Sequence, residues 1–356
     1  MAVVAGVAGL GPVVADASSP SLQTISAQQL LANVQTAKVD GLSGTVTSSL
    51  DLGLPAIPGV LSGENSKQFT DLLSGQHTAR VAFAGPDKAR VSVIDNMAER
   101  VLTTDGKTAW IYDSSKREAT KIAVPAQTNG KPEAAPQKET YDPQALAKKF
   151  LAAIDPSTTV QVNGTQTVAG RSAYKLSLVP KTTNTTIGSV TLAVDSKTWV
   201  PLQVTVTPRT GNSAAIQVGF SSVSFNVPSA STFAFTPPQG VKVTDQQAPA
   251  AKPTEPKAVP TKPGTKPGAP KSSANQPTVL GTGWESVAMI RGAKLPAGNG
   301  ALDQLLAKAP TVYVNGAPGK ILTTRMVSAL IMDDGRAFVG LVSANTLSAA
   351  AAKAPR

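Results

Sequence analysis

Cysteine is absent from the 356 residues and histidine occurs once, as His77. The first absence excludes disulfides, thiolate metal sites and a lipidated N-terminal cysteine. The second excludes a histidine-rich metal centre and leaves a Ser-His-Asp arrangement with a single candidate, at the entry to a polar strand. Aromatic residues make up 4% of the chain. An interior built from so few rings is aliphatic, mostly Ala, Val and Leu, and offers no stacking platforms for bases or sugars. No run reaches the ~20 apolar residues of a membrane-spanning helix.

No catalytic constellation stands out. Gly316-Ala317-Pro318-Gly319-Lys320 lacks the glycine spacing and the Ser/Thr of a phosphate loop, since Val314 and Ile321 stand at the deciding positions. Asp105 and Asp334 are accounted for by Asp-Gly turns. The expectation is a protein that is not an enzyme and has no cofactor or metal. Its function then rests on a surface or a cavity. The net charge of +11 favours an anionic membrane or wall surface. Nucleic acid is not expected: the lysines are not interleaved with aromatics, and five of them lie in a linker opposite Glu255.

Residues 1–17 read as the tail of a secretory signal, with an apolar stretch and an Ala15-Asp16-Ala17 cleavage signature. The mature chain is therefore expected outside the cytoplasmic membrane, periplasmic or envelope-associated. A first helix is predicted over 26–38. Ser26 and Gln29 form a capping box, Ile25 and Leu30 a staple, and Ala27, Leu30, Leu31 and Val34 an apolar stripe. A strand follows over 42–50. The stretch 52–61 holds Leu54, Ile57 and two prolines, which predicts an apolar loop or flap. A short helix is expected over 66–73. Alternating runs at 78–84, 89–95, 99–104, 108–113 and 121–124 predict a meander. Asp142 and Pro143 open a second helix to 154, with Leu146, Phe150, Leu151 and Ile154 on one side. Period-two runs then return: Leu192 and Val194; Leu202, Val204 and Val206; Ile216, Val218 and Phe220; Phe233 and Phe235. They predict antiparallel strands with one apolar face. Residues 246–277 form a Pro/Lys-rich linker of extended chain. A small last domain over 278–350 is predicted from strands at 279–290, 311–314, 326–332 and 337–342, a helix at 301–308 and an Ala-rich helix at 345–353.

Four stretches carry a family resemblance: D-G-K-T-A-W-I-Y-D at 105–113, V-A-G-R followed by Y-K-L-S-L at 168–178, V-D-S-K-T-W-V-P-L-Q-V at 194–204, and T-F-A-F-T-P-P-Q-G-V-K-V at 232–243. In this order they resemble the LolA/RseB superfamily of bacterial envelope carriers and regulators, over roughly residues 21–245. The last domain resembles more distantly the second domain of RseB/MucB proteins. The resemblance implies an α+β fold: a twisted antiparallel sheet forming a half-open barrel covered by helices, beside a small α+β C-terminal domain. It implies a cavity for a lipid or the acyl chain of a lipoprotein. From the apolar pattern, Leu30, Val34, Leu54, Ile57, Leu146, Phe150, Leu192, Val194, Val204, Val206 and Phe220 are the expected lining. It also implies an arginine latching the lid, for which Arg80 and Arg90 are the nearest positions. The alternative it carries is a regulator that binds the extracytoplasmic part of an anti-sigma factor or another membrane protein.

Overall fold

The computed structural model describes residues 19–53, 75–95, 98–124, 157–211, 213–247, 277–292 and 306–355. The predicted helices at 66–73 and 142–154, the flap residues Leu54 and Ile57, and Leu146 and Phe150 lie outside the described residues, as do 1–17 and most of the linker.

The first helix, α1 (Ala27–Thr36), forms as its cap predicts: the Gln29 N–H donates to the Ser26 hydroxyl at 3.1 Å, and Gln29 Oε1 accepts from the Ser26 N–H at 3.2 Å. The strands that follow are β1 (Gly41–Leu50), β2 (Gly75–Ala84), β3 (Lys88–Asp95), β4 (Ala98–Asp105), β5 (Thr108–Asp113), β6 (Glu118–Ala123), β7 (Thr158–Val168), β8 (Arg171–Pro180), β9 (Ile187–Asp195), β10 (Pro201–Pro208), β11 (Ile216–Ser224) and β12 (Lys242–Gln247). They make one sheet in the order β12-β6-β5-β4-β3-β2-β1-β11-β10-β9-β8-β7. All pairs are antiparallel except β12, which lies parallel to β6. The first domain is thus mostly sheet.

The turns follow from backbone chemistry. Gly106 takes φ 93° while the Asp105 carboxylate accepts the Lys107 and Thr108 N–H groups at 2.9 and 2.8 Å. Ala169 and Gly170, both at positive φ, close the β7–β8 hairpin.

One departure from the sequence reading concerns the end of this domain. Phe233 and Phe235 are not in a strand. Residues 225–241, with a single 3-10 turn at Ala230–Thr232, cross the sheet as a strap from β11 to β12. Phe233 closes the 3-10 turn in a helical backbone conformation and Phe235 follows it, both rings pressed on the sheet, and the strap's prolines deny it ladder hydrogen bonds.

The second domain is a six-stranded antiparallel sheet in the order β13-β14-β18-β17-β16-β15, packed against a closing helix. Its elements are β13 (Thr278–Leu280), β14 (Val287–Arg291), β15 (Thr311–Val314), β16 (Ala317–Thr323), β17 (Ser328–Met332), β18 (Arg336–Gly340) and α2 (Ala344–Lys353). The single strand expected over 279–290 is broken by a turn at Gly281–Glu285, where Gly281 and Gly283 take positive φ. Strand β16, masked in the sequence by Pro318 and Gly319, has a packing reason for its glycine. A Cβ at Gly319 would stand 2.7 Å from the sulfur of Met332. The core gathers Met289, Leu330, Met332, Phe338 and Leu347, all at most 1% exposed.

The domains are joined directly. Thr185 and Val342 form an antiparallel bridge, the Thr186 N–H donates to the Leu341 carbonyl at 3.0 Å, and the Ser343 N–H to the Asn184 carbonyl at 2.8 Å. Trp284 Nε1 donates to the Thr158 hydroxyl at 2.6 Å.

Candidate functional site: an apolar sheet face

Strand alternation gives the first sheet two faces, and register assigns every side chain to one of them. Leu192 pairs with Val204, Val204 with Val218, and Val218 with Ser48. Val190, Val206, Ile216 and Leu50 form the neighbouring row. On the same face a third row crosses β1 to β5: Gly44, Val81, Val91, Leu102 and Ile111. From β8 to β5 this face is mostly apolar, interrupted by Ser48 and His77 on β1 and β2 and by Arg100 and Asp113 on β4 and β5.

What covers it changes along its length. At β7–β9, α1 lies on it: Leu30 and Leu31 pack with Tyr174, Leu176 and Val194, and Val34 and Leu192 border the cluster. Tyr174 stacks on Trp199 with ring centroids 6.0 Å apart, and its hydroxyl donates to the Gln23 carbonyl at 3.0 Å. Among the described residues, cover beyond α1 comes only where the second domain meets Val190, Val206 and Ile216. Val204 and Val218 are 36% and 38% exposed, and Val91, Leu102 and Ile111 are 36%, 54% and 48% exposed. Such an uncovered aliphatic stretch on a sheet whose other end is fully packed is the feature that points to a ligand. Phe220 turns its ring over Gly44, where a Cβ would stand 2.9 Å from it, and packs against Leu202 and its neighbours. Beside the row, Arg100 pairs with Asp113 at 3.5 Å. Burial raises the Asp113 carboxyl, but the Ser115 hydroxyl, the Lys116 and Ser115 N–H groups and Arg100 outweigh it, and it titrates below the ordinary carboxylate range.

Over β3–β5 the opposite face is covered by the strap. Phe233 is 2% exposed, and its carbonyl accepts the Thr103 hydroxyl at 3.1 Å. Phe235 packs on Trp110 and Tyr112 at 5.6 and 5.4 Å. Arg90 donates to the carbonyls of Thr232 and Ala234, each at 3.3 Å. Arg80 and Arg90 therefore both stand on the strap face, away from the apolar row. Arg90 latches the strap.

Of the expected lining, Leu30, Val34, Leu192, Val194, Val204 and Val206 come together on or under the one apolar face, with Phe220 at its border. Leu30 and Val194 are fully buried and belong to the packed end; Val206 packs beneath the second domain. The row of Val81, Val91, Leu102 and Ile111, exposed from Val91 on, was not among the expected residues. Its signal is the alternation of Ala89, Val91 and Val93 with Arg90 and Ser92, and in E-R-V-L-T-T the buried Val101 faces the strap side while Leu102 faces this one.

The resemblance-bearing motifs are largely structural. Asp195 of V-D-S-K-T-W accepts the Lys197 and Thr198 N–H groups at 3.0 and 2.7 Å and the Arg171 guanidinium in a two-pronged contact, 2.9 Å at Nη2. That turn carries Trp199, at φ 61°, onto Tyr174.

No family model matches the chain. It is 25% identical to an uncharacterized protein of Methanocaldococcus jannaschii over 170 residues, which are 48% of this chain and 44% of that one. The chain spans less than half the length of that curated relative. Among solved structures it is similar to the MucA/MucB complex of Pseudomonas aeruginosa, at 16% identity and TM-score 0.41, covering 91% of this chain and 96% of that one. It is also similar to a LolA superfamily protein of Nitrosomonas europaea, at 12% identity and TM-score 0.21, covering 60% and 99%.

Proposed function

We propose that this chain is an extracytoplasmic binding protein that holds the acyl chain of a lipid or acylated protein on the apolar sheet face, as a carrier or sensor. One observation carries the reading: between the parts of the face packed by α1 and by the second domain, Val204 and Val218, and further along Val91, Leu102 and Ile111, stay at least 36% exposed. An acyl chain fits this chemistry because the exposed side chains are branched aliphatics without polar atoms. Burying each methylene contributes about 0.8 kcal/mol. A chain of roughly 14 carbons would gain on the order of 10 kcal/mol gross, before an ordering cost of several kcal/mol. That balance fits reversible holding.

Native mass spectrometry of protein purified from its own host, followed by organic extraction, tests the reading. Co-purifying lipid or acylated protein is expected, together with uptake of a fluorescent fatty acid. Val204→Asp places a charge on the face and is expected to abolish that uptake while the circular dichroism stays unchanged. A clean protein that ignores the fatty acid would overturn the reading.

A second reading draws on the docked second domain: a regulator whose partner is the extracytoplasmic segment of an anti-sigma factor or another membrane protein. It expects capture of that partner to need residues 278–350, and equal capture without them would end it.

A further inference from the structure

The apolar face has a closed end, and the second domain supplies it. Between β16 and β17 the chain turns at Thr324–Val327, and the side chain of Met326 enters the first domain. Met326 is 0% exposed. It sits with Ile187 and Ala215, bordered by Leu52, Val190, Val206 and Ile216. Val206 and Ile216 are register partners, as are Val204 and Val218 one step along the same two strands and on the same face. Cover by Met326 thus gives way within one residue pair to the half-open Val204 and Val218.

The backbone of this turn is fixed from both domains. The Thr324 hydroxyl accepts the Met326 and Val327 N–H groups at 3.3 and 2.9 Å. The Thr186 hydroxyl donates to the Met326 carbonyl at 2.6 Å. Arg325 is ion-paired with Asp51 and donates to Ser213 Oγ at 2.8 Å. A fixed backbone carrying an unbranched, polarizable side chain makes an adjustable stop: methionine has three rotatable bonds and fills irregular space without a preferred shape.

We propose that Met326 is the end wall of the apolar site and sets the length of chain the face accepts. This inference rests on the acyl-binding reading above. An alkyl chain lying over Val204 and Val218 meets the Met326 thioether at its closed end. Truncating that side chain extends the face into the space between Val206 and Ile216.

The test uses the full chain and a displacement titration of a fluorescent fatty acid by saturated fatty acids of graded length, about C10 to C18. For Met326→Ala the preferred length is expected to rise by about two to three carbons, the space of the atoms removed, with affinity for the shortest acid within about twofold. Met326→Leu, which conserves volume, is expected to keep the original preference. If the alanine variant unfolds, Met326→Val carries the same test with a shift of about one carbon. An unchanged length profile, with Val204→Asp still abolishing binding, would remove Met326 from the site and leave the site standing. No binding of any fatty acid by the unaltered chain would overturn the site reading and this inference together.

Discussion

Arg171 on β8 and Asp195 at the end of β9 form a two-pronged ion pair that fixes the turn leading to Trp199. Asp195 is 1% exposed. Its burial raises the carboxyl, and the Arg171 contact with the Thr198 and Lys197 donors outweighs it, bringing the carboxyl down to about 2. The unfolded chain titrates near 3.9. A depressed folded value contributes stability that is fully present above about pH 4 and lost as the pH falls through about 2. The contribution is about 2 kcal/mol. Asp195→Asn is therefore expected to lower Tm at pH 7 and to flatten the loss of stability between pH 4 and 2. Thermal melts of both chains across that window check it; parallel curves would remove Asp195 from the acid response.

The strap is the second load on stability. Phe233→Ala empties a site that is 2% exposed and disturbs the contacts around it. A loss of about 3–4 kcal/mol is expected in urea melts. Arg90→Ala removes two bonds to strap carbonyls and leaves the fold's other contacts in place. A loss of about 1–2 kcal/mol is expected, with faster hydrogen exchange confined to residues 230–236.

The domain junction depends on a close approach. Gly53 takes φ 69°, and a Cβ there would lie 2.7 Å from the Cβ of Arg325. Gly53→Val is expected to strain the backbone and push Arg325 away from Asp51. Donor and acceptor dyes on the two domains should report a lengthened distance in this variant, while the circular dichroism of each sheet is unchanged. Unaltered transfer would show that the junction holds without this contact.

Leu102 and Ile111 are 54% and 48% exposed, so charges at these positions should be tolerated by the fold. Leu102→Asp is expected to change Tm by no more than ~2 °C and to weaken fatty-acid uptake about tenfold. Unchanged uptake would confine the site to the Val204–Val218 end.

Local chemistry was legible from the chain itself. The Ser26–Gln29 cap, the Asp105-Gly106 turn and the Asp334-Gly335 hairpin each depend on residues within four positions of one another, so spacing alone identifies them. Alternation at 190–220 correctly placed Leu192, Val204 and Phe220 on strands. It failed where apolar residues alternate without strand pairing, as at Phe233 and Phe235, and where packing keeps a proline and a glycine within a strand, as in β16. The exposed row escaped because alternation shows which side of a strand is apolar but not whether that side will be covered.

The α1 cap, the tight turns and most strands of the first sheet follow from the chain alone, because capping, turns and alternation act over a few residues, and composition leaves no thiol or histidine-cluster chemistry. Which parts of each face are covered follows from the packed fold. Leu30 and Met326 cover parts of the apolar face and Phe233 part of the opposite one, each well over a hundred residues away from at least one of the strands it meets, and burial at such separations depends on docking rather than on local pattern.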